Sequence, residues 1–182
     1  MDAARNRRRI LAAAERLIAE RGVDAVSMEV IADEAGVGKG TLFRRFGDRS
    51  GLMHALIDAR ERELQDELIR GEPPVGPGAP PVERLVAFGR RLLEHLEANG
   101  DLLFAAEFGP GVRFRAPVYA FYRAHVASLL REAECSIDPE YLADALLALL
   151  AADFHLYMRR VRELPVDRLA AGYEAMVREL TA

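Results

Sequence analysis

Cysteine is nearly absent from this sequence, since Cys135 is the single example in 182 residues. One cysteine excludes a disulfide within the chain and is typical of a reducing cytosol, so we expect a cytoplasmic protein. Cys135 itself is best interpreted as a small apolar residue of the interior. Long apolar runs are missing too. No stretch approaches the roughly 18 residues that a membrane helix needs, and we expect neither a span nor a secretory signal.

Signatures of helical enzymes are also missing. The sequence contains no Glu-x-x-His pair, no His-Glu-x-x-His motif and no glycine-rich phosphate loop. These patterns mark di-iron bundles, zinc proteases and nucleotide sites respectively. We therefore expect no catalytic residue, no metal site and no cofactor.

Sequence patterns typical of β-strands are absent as well. No segment alternates β-branched and polar residues, which is the usual mark of a half-buried strand. Hydrophobic residues make up 51% of the chain and charged residues 30%, a balance typical of globular proteins. The fold class predicted is all-α with about nine helices, divided into residues 1–47 and residues 48–182.

A first helix is expected over residues 4–21. The segment after it is predicted to form two short helices joined by a tight turn. Ser27 can cap the first of these two, and Gly36 is a suitable left-handed terminator for it. The second begins near Gly38 and runs through Phe46. Two helices of about two turns with a glycine turn describe a helix-turn-helix, whose second helix enters the DNA major groove.

The outward positions of the second helix suit a nucleic-acid partner. Leu42 and Phe46, four residues apart, are expected to face inward, which leaves the cations outside. Asp48 is expected to cap the next helix, beside Arg49. A phosphate backbone binds such cations. The predicted DNA-binding residues are Ser27, Lys39, Gly40, Thr41, Phe43, Arg44, Arg45 and Arg49.

Charge is distributed in a way that supports this prediction. The formal net charge is −4, but residues 1–52 hold ten basic and eight acidic residues. The remaining residues hold 15 basic and 21 acidic side chains. The basic end is therefore the end with the helix-turn-helix pattern. Arginines before it, at positions 5, 7, 8 and 9, are either an arm that contacts DNA or a solvated helix start.

The N-terminal segments together resemble the DNA-binding domain of the TetR (tetracycline repressor) family of transcriptional regulators. The matching pieces are ILAAAERLIAERG, SMEVIADEAGV, GKGTLFRRF and DRSGL, in that order, over about a quarter of the chain. Two positions depart from the family pattern. Gly38 stands where Ser or Thr is usual, so the second helix lacks a side-chain cap. Phe43 stands where Tyr is usual, so a phosphate-contacting hydroxyl is absent.

Beyond the helix-turn-helix the pattern predicts further helices. One runs from Arg49 to about Arg70, and a proline- and glycine-rich loop follows at residues 71–81. The remaining segments are read as helices over residues 82–98, 101–108, 117–133, 139–164 and 166–180. Asn99-Gly100 is expected to end the first of these. Pro165 is expected to end the long fourth one.

The last two helices carry more apolar surface than one chain readily hides. We therefore expect a twofold homodimer in which these helices pair with their copies in a four-helix bundle. Core helices of a monomer are the alternative. Two recognition helices in such a dimer would read a near-palindromic double-stranded operator. The resemblance implies the same dimer.

The middle helices are expected to enclose a pocket. The resemblance implies that a small, largely apolar effector binds in this region and moves the helix that begins at Arg49. Candidate lining and anchor residues are His95, Phe104, Glu107, Phe108, Tyr122, His125, Phe154 and His155. For any one of them, a purely structural role is the alternative.

The predicted function is a sequence-specific DNA-binding transcriptional regulator, a repressor that an effector releases. The rival class is a helical small-molecule carrier or interaction module without DNA binding. A carrier would account for the acidic C-terminal part, but it would leave the basic helix-turn-helix without a role.

Overall fold

The fold is all-α in the part of the chain that the computed structural model describes, namely residues 2–23, 25–106, 111 and 113–182. Nine α-helices occur in these ranges, with no strand among them. The predicted fold class is therefore confirmed. The α-helices are α1 (Asp2–Arg21), α2 (Met28–Ala35), α3 (Lys39–Phe46), α4 (Arg49–Arg70), α5 (Pro81–Ala106), α6 (Pro117–Glu132), α7 (Pro139–Ala148), α8 (Ala152–Leu156) and α9 (Val166–Leu180).

Two compact units make up the chain, Met1–Glu61 and Arg62–Ala182. In the first unit α1 packs against α2, and α2 against α3. Its helices are short, so their stability depends on this shared core rather than on helix propensity. The fully buried apolar side chains of the three helices include Ile10, Ala14, Leu17, Ile31, Ala32 and Leu42.

The division between the units falls inside α4, fourteen residues beyond the boundary that the sequence suggests. Two arginines of α4 explain why its first turns group with the N-terminal helices. Arg49 donates hydrogen bonds to the carbonyl oxygens of Val23 and Val26. Arg60 forms an ion pair with Glu15 of α1, with 3.1 Å between Nε and Oε1. These contacts join the start of α4 to the α1–α2 region.

Helix α5 lies at the centre of the second unit, where it packs against α6, α8 and α9. Phe88 of α5 is fully buried. The next residue, Gly89, permits close contact with α9, because a Cβ atom there would lie 2.0 Å from the Tyr173 ring. Ion pairs fasten both ends of α5: Glu83 binds Arg178, and Asp101 binds Arg160.

Helix α5 is longer than the sequence predicts. Asn99-Gly100 does not end it, and the separate helix expected from residue 101 is its continuation. The Asn99 side chain donates to the His95 carbonyl oxygen at 3.0 Å, within the helix. Gly100 is buried, and a Cβ atom there would lie 3.3 Å from Leu156 of α8. The glycine thus serves close helix packing rather than helix termination.

The long helix expected over residues 139–164 is interrupted. Helix α7 ends at Ala148, Ala151 takes an extended conformation, and α8 then begins. A π-helical turn, Tyr157–Val161, follows α8 directly. The two halves differ in direction by 42°. The sequence has no Pro or Gly at this point, and the bend allows α7 to pack on α6 while α8 packs on α5.

Among the described residues, no single helix has both the length and the apolar character to cross a bilayer. The bent pair Pro139–Ala148 and Ala152–Val161 meets those two criteria when taken together.

Candidate nucleic-acid interface

Helix α2 has the ends that the sequence predicts. The Ser27 hydroxyl accepts a hydrogen bond from the Val30 amide at 3.3 Å, which confirms the N-cap. Gly36 has φ of 62°, and its amide donates to the carbonyls of Ala32 and Asp33. The left-handed conformation suits glycine, which has no Cβ to clash. The turn that sets the direction of α3 is thereby closed.

Helix α3 presents one buried position and a broad exposed face. Leu42 is fully buried, and Phe46 is half-buried. Gly38 precedes the helix in an extended conformation and has no side chain with which to cap it. The exposed face consists of Lys39, Gly40, Phe43, Arg44 and Arg45, with Thr41 half-buried beside it.

The exposed face of α3 combines an aromatic side chain with cationic side chains. The Phe43 ring is 43% exposed, which is unusual for a large aromatic side chain unless it contacts a partner. Lys39 and Phe43, and likewise Gly40 and Arg44, are four residues apart and therefore adjacent on the helix surface. Three cations and a ring thus occupy about two turns. Such a surface can bind phosphates and contact base edges in a groove.

The first turn of α2 carries a negative charge close enough to Lys39 of α3 to be influenced by it. The pKa of Glu29 is lowered, first by its own backbone amide, then by the Ser27 hydroxyl and by the charge of Lys39. Glu29 also lies in the first turn of α2, where the helix dipole favours an anion. The carboxylate is therefore ionised beside the start of the candidate interface.

Two arginines predicted or considered for DNA contact are engaged within the domain. The Arg9 Nη2 atom donates to the Ala35 carbonyl oxygen at 2.7 Å, at the C-terminal end of α2. Arg49 donates through Nε and Nη2 to the loop carbonyls of Val26 and Val23. Both side chains therefore position helices. Asp48 caps α4 as expected, since its Oδ1 atom accepts from the Gly51 amide at 2.8 Å.

Arg9 and its exposed neighbour Arg8 form a matched pair for mutation. Arg9→Ala is expected to lower the free energy of unfolding by about 1–2 kcal/mol, because it removes a part-buried, charge-assisted hydrogen bond. Arg8→Ala should leave that free energy within about 0.5 kcal/mol of the unmodified chain. Urea unfolding followed by circular dichroism measures both. Equal stability of the two variants would contradict the role given to Arg9.

The candidate effector residues differ in their exposure. His95 and His155 are buried, whereas Phe104 and Phe154 are exposed. Tyr122 and His125 of α6 belong to an aromatic cluster with Phe88 and Phe121. In this cluster the Phe88 and Tyr122 rings meet edge to face with centroids 5.6 Å apart. Glu107 and Phe108 lie outside the described residues.

An open cleft lies between α5, the end of α7, α8 and α9, with exposed residues such as Phe154 and Met176 in its wall. Its volume is about 280 Å³. Of the residues predicted for a pocket, only Phe154 and His155 line it. The sequence-based search missed the wall that α9 contributes. The cleft is lined by Leu93, Leu149, Leu150, Phe154, His155, Met158, Leu164, Arg168, Leu169, Gly172, Tyr173 and Met176.

His125 provides a pH-dependent test of the aromatic cluster. Burial lowers the pKa of His125 from 6.5 to about 4, and the charge of Arg84 acts in the same direction. Between these values the unfolded chain binds a proton that the folded chain does not. Stability should therefore fall as the pH drops from about 6.5 toward 4.

In the variant His125→Phe, the difference in bound protons between the unfolded and the folded chain should be smaller by about one. The change of the urea midpoint across the same pH range measures this difference. His155, whose pKa burial also lowers, remains in both proteins and serves as the internal reference. A variant whose stability changes with pH as steeply as that of the unmodified chain would contradict the assignment.

Comparison with known proteins agrees with this geometry. Residues 10–56 match the family model for bacterial regulatory proteins of the tetR family. An HTH-type transcriptional regulator of Staphylococcus aureus (strain USA300) is 48% identical over 56 residues, which are 31% of this chain and 30% of that protein. The match thus spans less than a third of the length of the curated relative.

Solved structures extend the likeness to the whole chain. A TetR-family transcriptional regulator of Rhodococcus sp. superposes with a TM-score of 0.74 at 22% identity, covering 98% of this chain and 100% of that one. A transcriptional regulator of Saccharomonospora viridis in complex with choline also gives 0.74 at 22% identity, covering 96% of each chain. At this identity the likeness establishes the fold.

The fold and the N-terminal unit define a class, a helix-turn-helix protein with a helical C-terminal unit. Within that class, residues 10–56 match the tetR family of bacterial regulatory proteins, so this segment has the sequence of a TetR-type DNA-binding domain. The resemblance seen in the sequence is confirmed. The family is one of regulators, which agrees with the expectation that the chain is not an enzyme.

Proposed function

We propose that this protein is a sequence-specific, DNA-binding transcriptional repressor that acts in the cytoplasm as a homodimer and is released by a small apolar effector. Residues 1–47 form the DNA-binding domain in this proposal, and residues 48–182 serve effector binding and dimerisation. A dimer bound at an operator can block polymerase without further contacts, which favours repression over activation.

The exposed face of α3 carries the proposal. Leu42 anchors the helix in the domain core while Lys39, Phe43 and Arg44 remain exposed on its other side. A helix held in this way can enter a major groove. We assign Lys39, Thr41 and Arg44 to contacts with base edges, and Arg45 to a contact with a phosphate group. Ser27 and Gly40 are assigned to positions where the DNA backbone comes close to the protein.

Exposed apolar side chains on the last elements support the homodimer. Phe154, Tyr157 and Met176 are 36%, 45% and 39% exposed, and Val161 on the π-helical turn is 68% exposed. Large apolar groups gathered on neighbouring elements are typical of a subunit interface. The proposed dimer pairs this surface with its copy and places two α3 helices on one near-palindromic operator.

The effector is proposed from the C-terminal unit and from what relatives bind. The Saccharomonospora viridis regulator holds choline. In this chain, the two candidate regions for a ligand are the sequence-based one around Tyr122 and His125 and the open cleft beside α9. We propose that occupation of the C-terminal unit lowers operator affinity by changing the spacing of the two α3 helices.

Binding to random duplex DNA at several salt concentrations tests the proposal directly. A dimer that contacts six to ten phosphates should lose about 10³–10⁵-fold in affinity between 50 and 200 mM salt. Arg45→Ala should reduce the slope, whereas Arg70→Ala, at the far end of α4, should not. No binding at low salt would overturn the proposal and favour the small-molecule carrier.

A further inference from the structure

Phe43 is an apolar side chain on a helix face that is otherwise cationic. Among the described residues of the first unit, it is the one large hydrophobic side chain that is exposed. The other exposed side chains of this kind in the described part lie in the second unit, from Ile69 onward. Exposure alone does not identify what the ring binds, but the neighbours and the chemistry of the ring restrict the choice.

The Phe43 ring has neither an aromatic nor a cationic partner among the residues that the structure describes. Phe114, an exposed phenylalanine of the second unit, provides the contrast. Its ring meets the Tyr119 ring edge to face with centroids 5.0 Å apart, and the Arg113 guanidinium lies 4.6 Å from its centroid. The Phe43 ring is therefore available to a partner outside the chain.

The positions next to the ring on α3 leave room for that partner. Lys39 and Gly40 lie four and three residues before Phe43, so both are its neighbours on the helix surface. Nothing in the described part of the protein lies within 4 Å of the position that a Cβ atom of Gly40 would take. Glycine weakens a helix relative to alanine, and no contact within the described chain requires it here. The space beside the ring is thus open on the face proposed to bind DNA.

The chemistry of a phenyl ring selects one feature of a DNA duplex. Such a ring has no hydrogen-bond donor for a phosphate oxygen and no polar atom for the donors and acceptors of a base edge. The apolar group of the major groove is the 5-methyl group of thymine, which phenylalanine is known to contact. Insertion of a phenylalanine between base steps is typical of minor-groove proteins, whereas α3 is proposed to lie in the major groove.

We propose that Phe43 is a specificity-determining residue whose ring contacts the 5-methyl group of a thymine and selects a T·A pair at that position of each half-site. The inference rests on the proposed function, because it requires α3 to lie in the major groove. Lys39 and Arg44 read hydrogen-bonding groups of other base pairs. Phe43 adds a position that is read by an apolar contact.

Replacement of thymine by deoxyuridine tests this contact, because it removes the methyl group and keeps every hydrogen-bonding group of the base. The probe is the duplex that the full chain selects from a randomised library, with deoxyuridine placed at each thymine of the two half-sites in turn. At one symmetric pair of positions, affinity should fall about fourfold for each methyl group, or roughly 15-fold for the dimer. Phe43→Ala should bind the thymine duplex more weakly and should not respond to the replacement. Its salt slope should equal that of the unmodified chain, because no phosphate contact is lost.

Phe114→Ala, which removes an exposed ring of the second unit, is the control and should keep both the affinity and the response to deoxyuridine. If the selected half-sites contain no invariant thymine, or if no replacement weakens binding, the inference is overturned. A steep salt dependence would in that case still support the proposed function. If deoxyuridine weakens the binding of Phe43→Ala as much as that of the unmodified chain, the methyl group acts through the shape of the duplex, and the inference is again overturned. Failure to bind any duplex would overturn the proposed function and this inference together.

Discussion

Met176→Glu is expected to lower operator affinity by at least about a hundredfold, because it should convert the dimer to a monomer. A dimer binds its second half-site as an intramolecular event, and that gain is worth roughly 10²–10⁴ in affinity. Burying a carboxylate in an apolar interface carries a large desolvation cost, so association should be lost. Met176 is 39% exposed in the single chain, and the monomer should therefore still fold.

Ile69→Glu is the matched control for this experiment. Ile69 is 49% exposed and lies on α4, outside the proposed dimer surface. Sedimentation and operator binding should show an unaltered dimer for this variant. Val161→Glu, on the π-helical turn, should reproduce the effect of Met176→Glu. A dimer of full operator affinity in both Met176→Glu and Val161→Glu would contradict the proposed interface.

Arg44→Ala and Arg45→Ala, two neighbours on α3, are expected to weaken DNA binding in different ways. A base contact is worth about 1–3 kcal/mol, so loss of Arg44 should cost tenfold to about a hundredfold per half-site. The preference for one base pair in each half-site should disappear. Arg45→Ala should instead weaken all sequences alike and reduce the salt slope by about 1 per subunit.

Selection of bound duplexes from a randomised operator library, repeated at two salt concentrations, separates the two effects. Lys39→Ala and Thr41→Ala should resemble Arg44→Ala and change the preference at other positions. If Arg44→Ala leaves the preference of the library unaltered, the proposed orientation of α3 on the duplex is incorrect.

At Arg49 the local sequence predicts the helix cap correctly but does not predict the hydrogen-bond partners of the arginine. The sequence places it beside the Asp48 cap, at a helix N-terminus that suits a phosphate. The structure confirms the cap, yet it directs the arginine to the carbonyls of Val23 and Val26. Those acceptors are more than 20 residues away, and nothing in the local sequence marks them as neighbours. A DNA contact by Arg49 stays a prediction, with the structural role beside it.

In the C-terminal unit, the positions of glycine do not predict where helices end or bend. Gly100 was expected to end a helix, but it lies inside α5 against Leu156. The bend between α7 and α8 was not expected, since no Pro or Gly occurs there. Both features follow from packing between helices that are distant in sequence. Tertiary contacts routinely override local propensity in this way.

Local pattern was sufficient for the N-terminal unit, because caps, a left-handed glycine and apolar spacing act over four residues or fewer. Ser27, Gly36, Leu42 and Asp48 therefore have the structural roles that the sequence indicates. The cleft required the folded chain. Its wall combines residues from Leu93 to Met176, which only the approach of helices α5, α8 and α9 brings together. Such an approach is the sum of many weak contacts over long sequence separations, and no short motif records it.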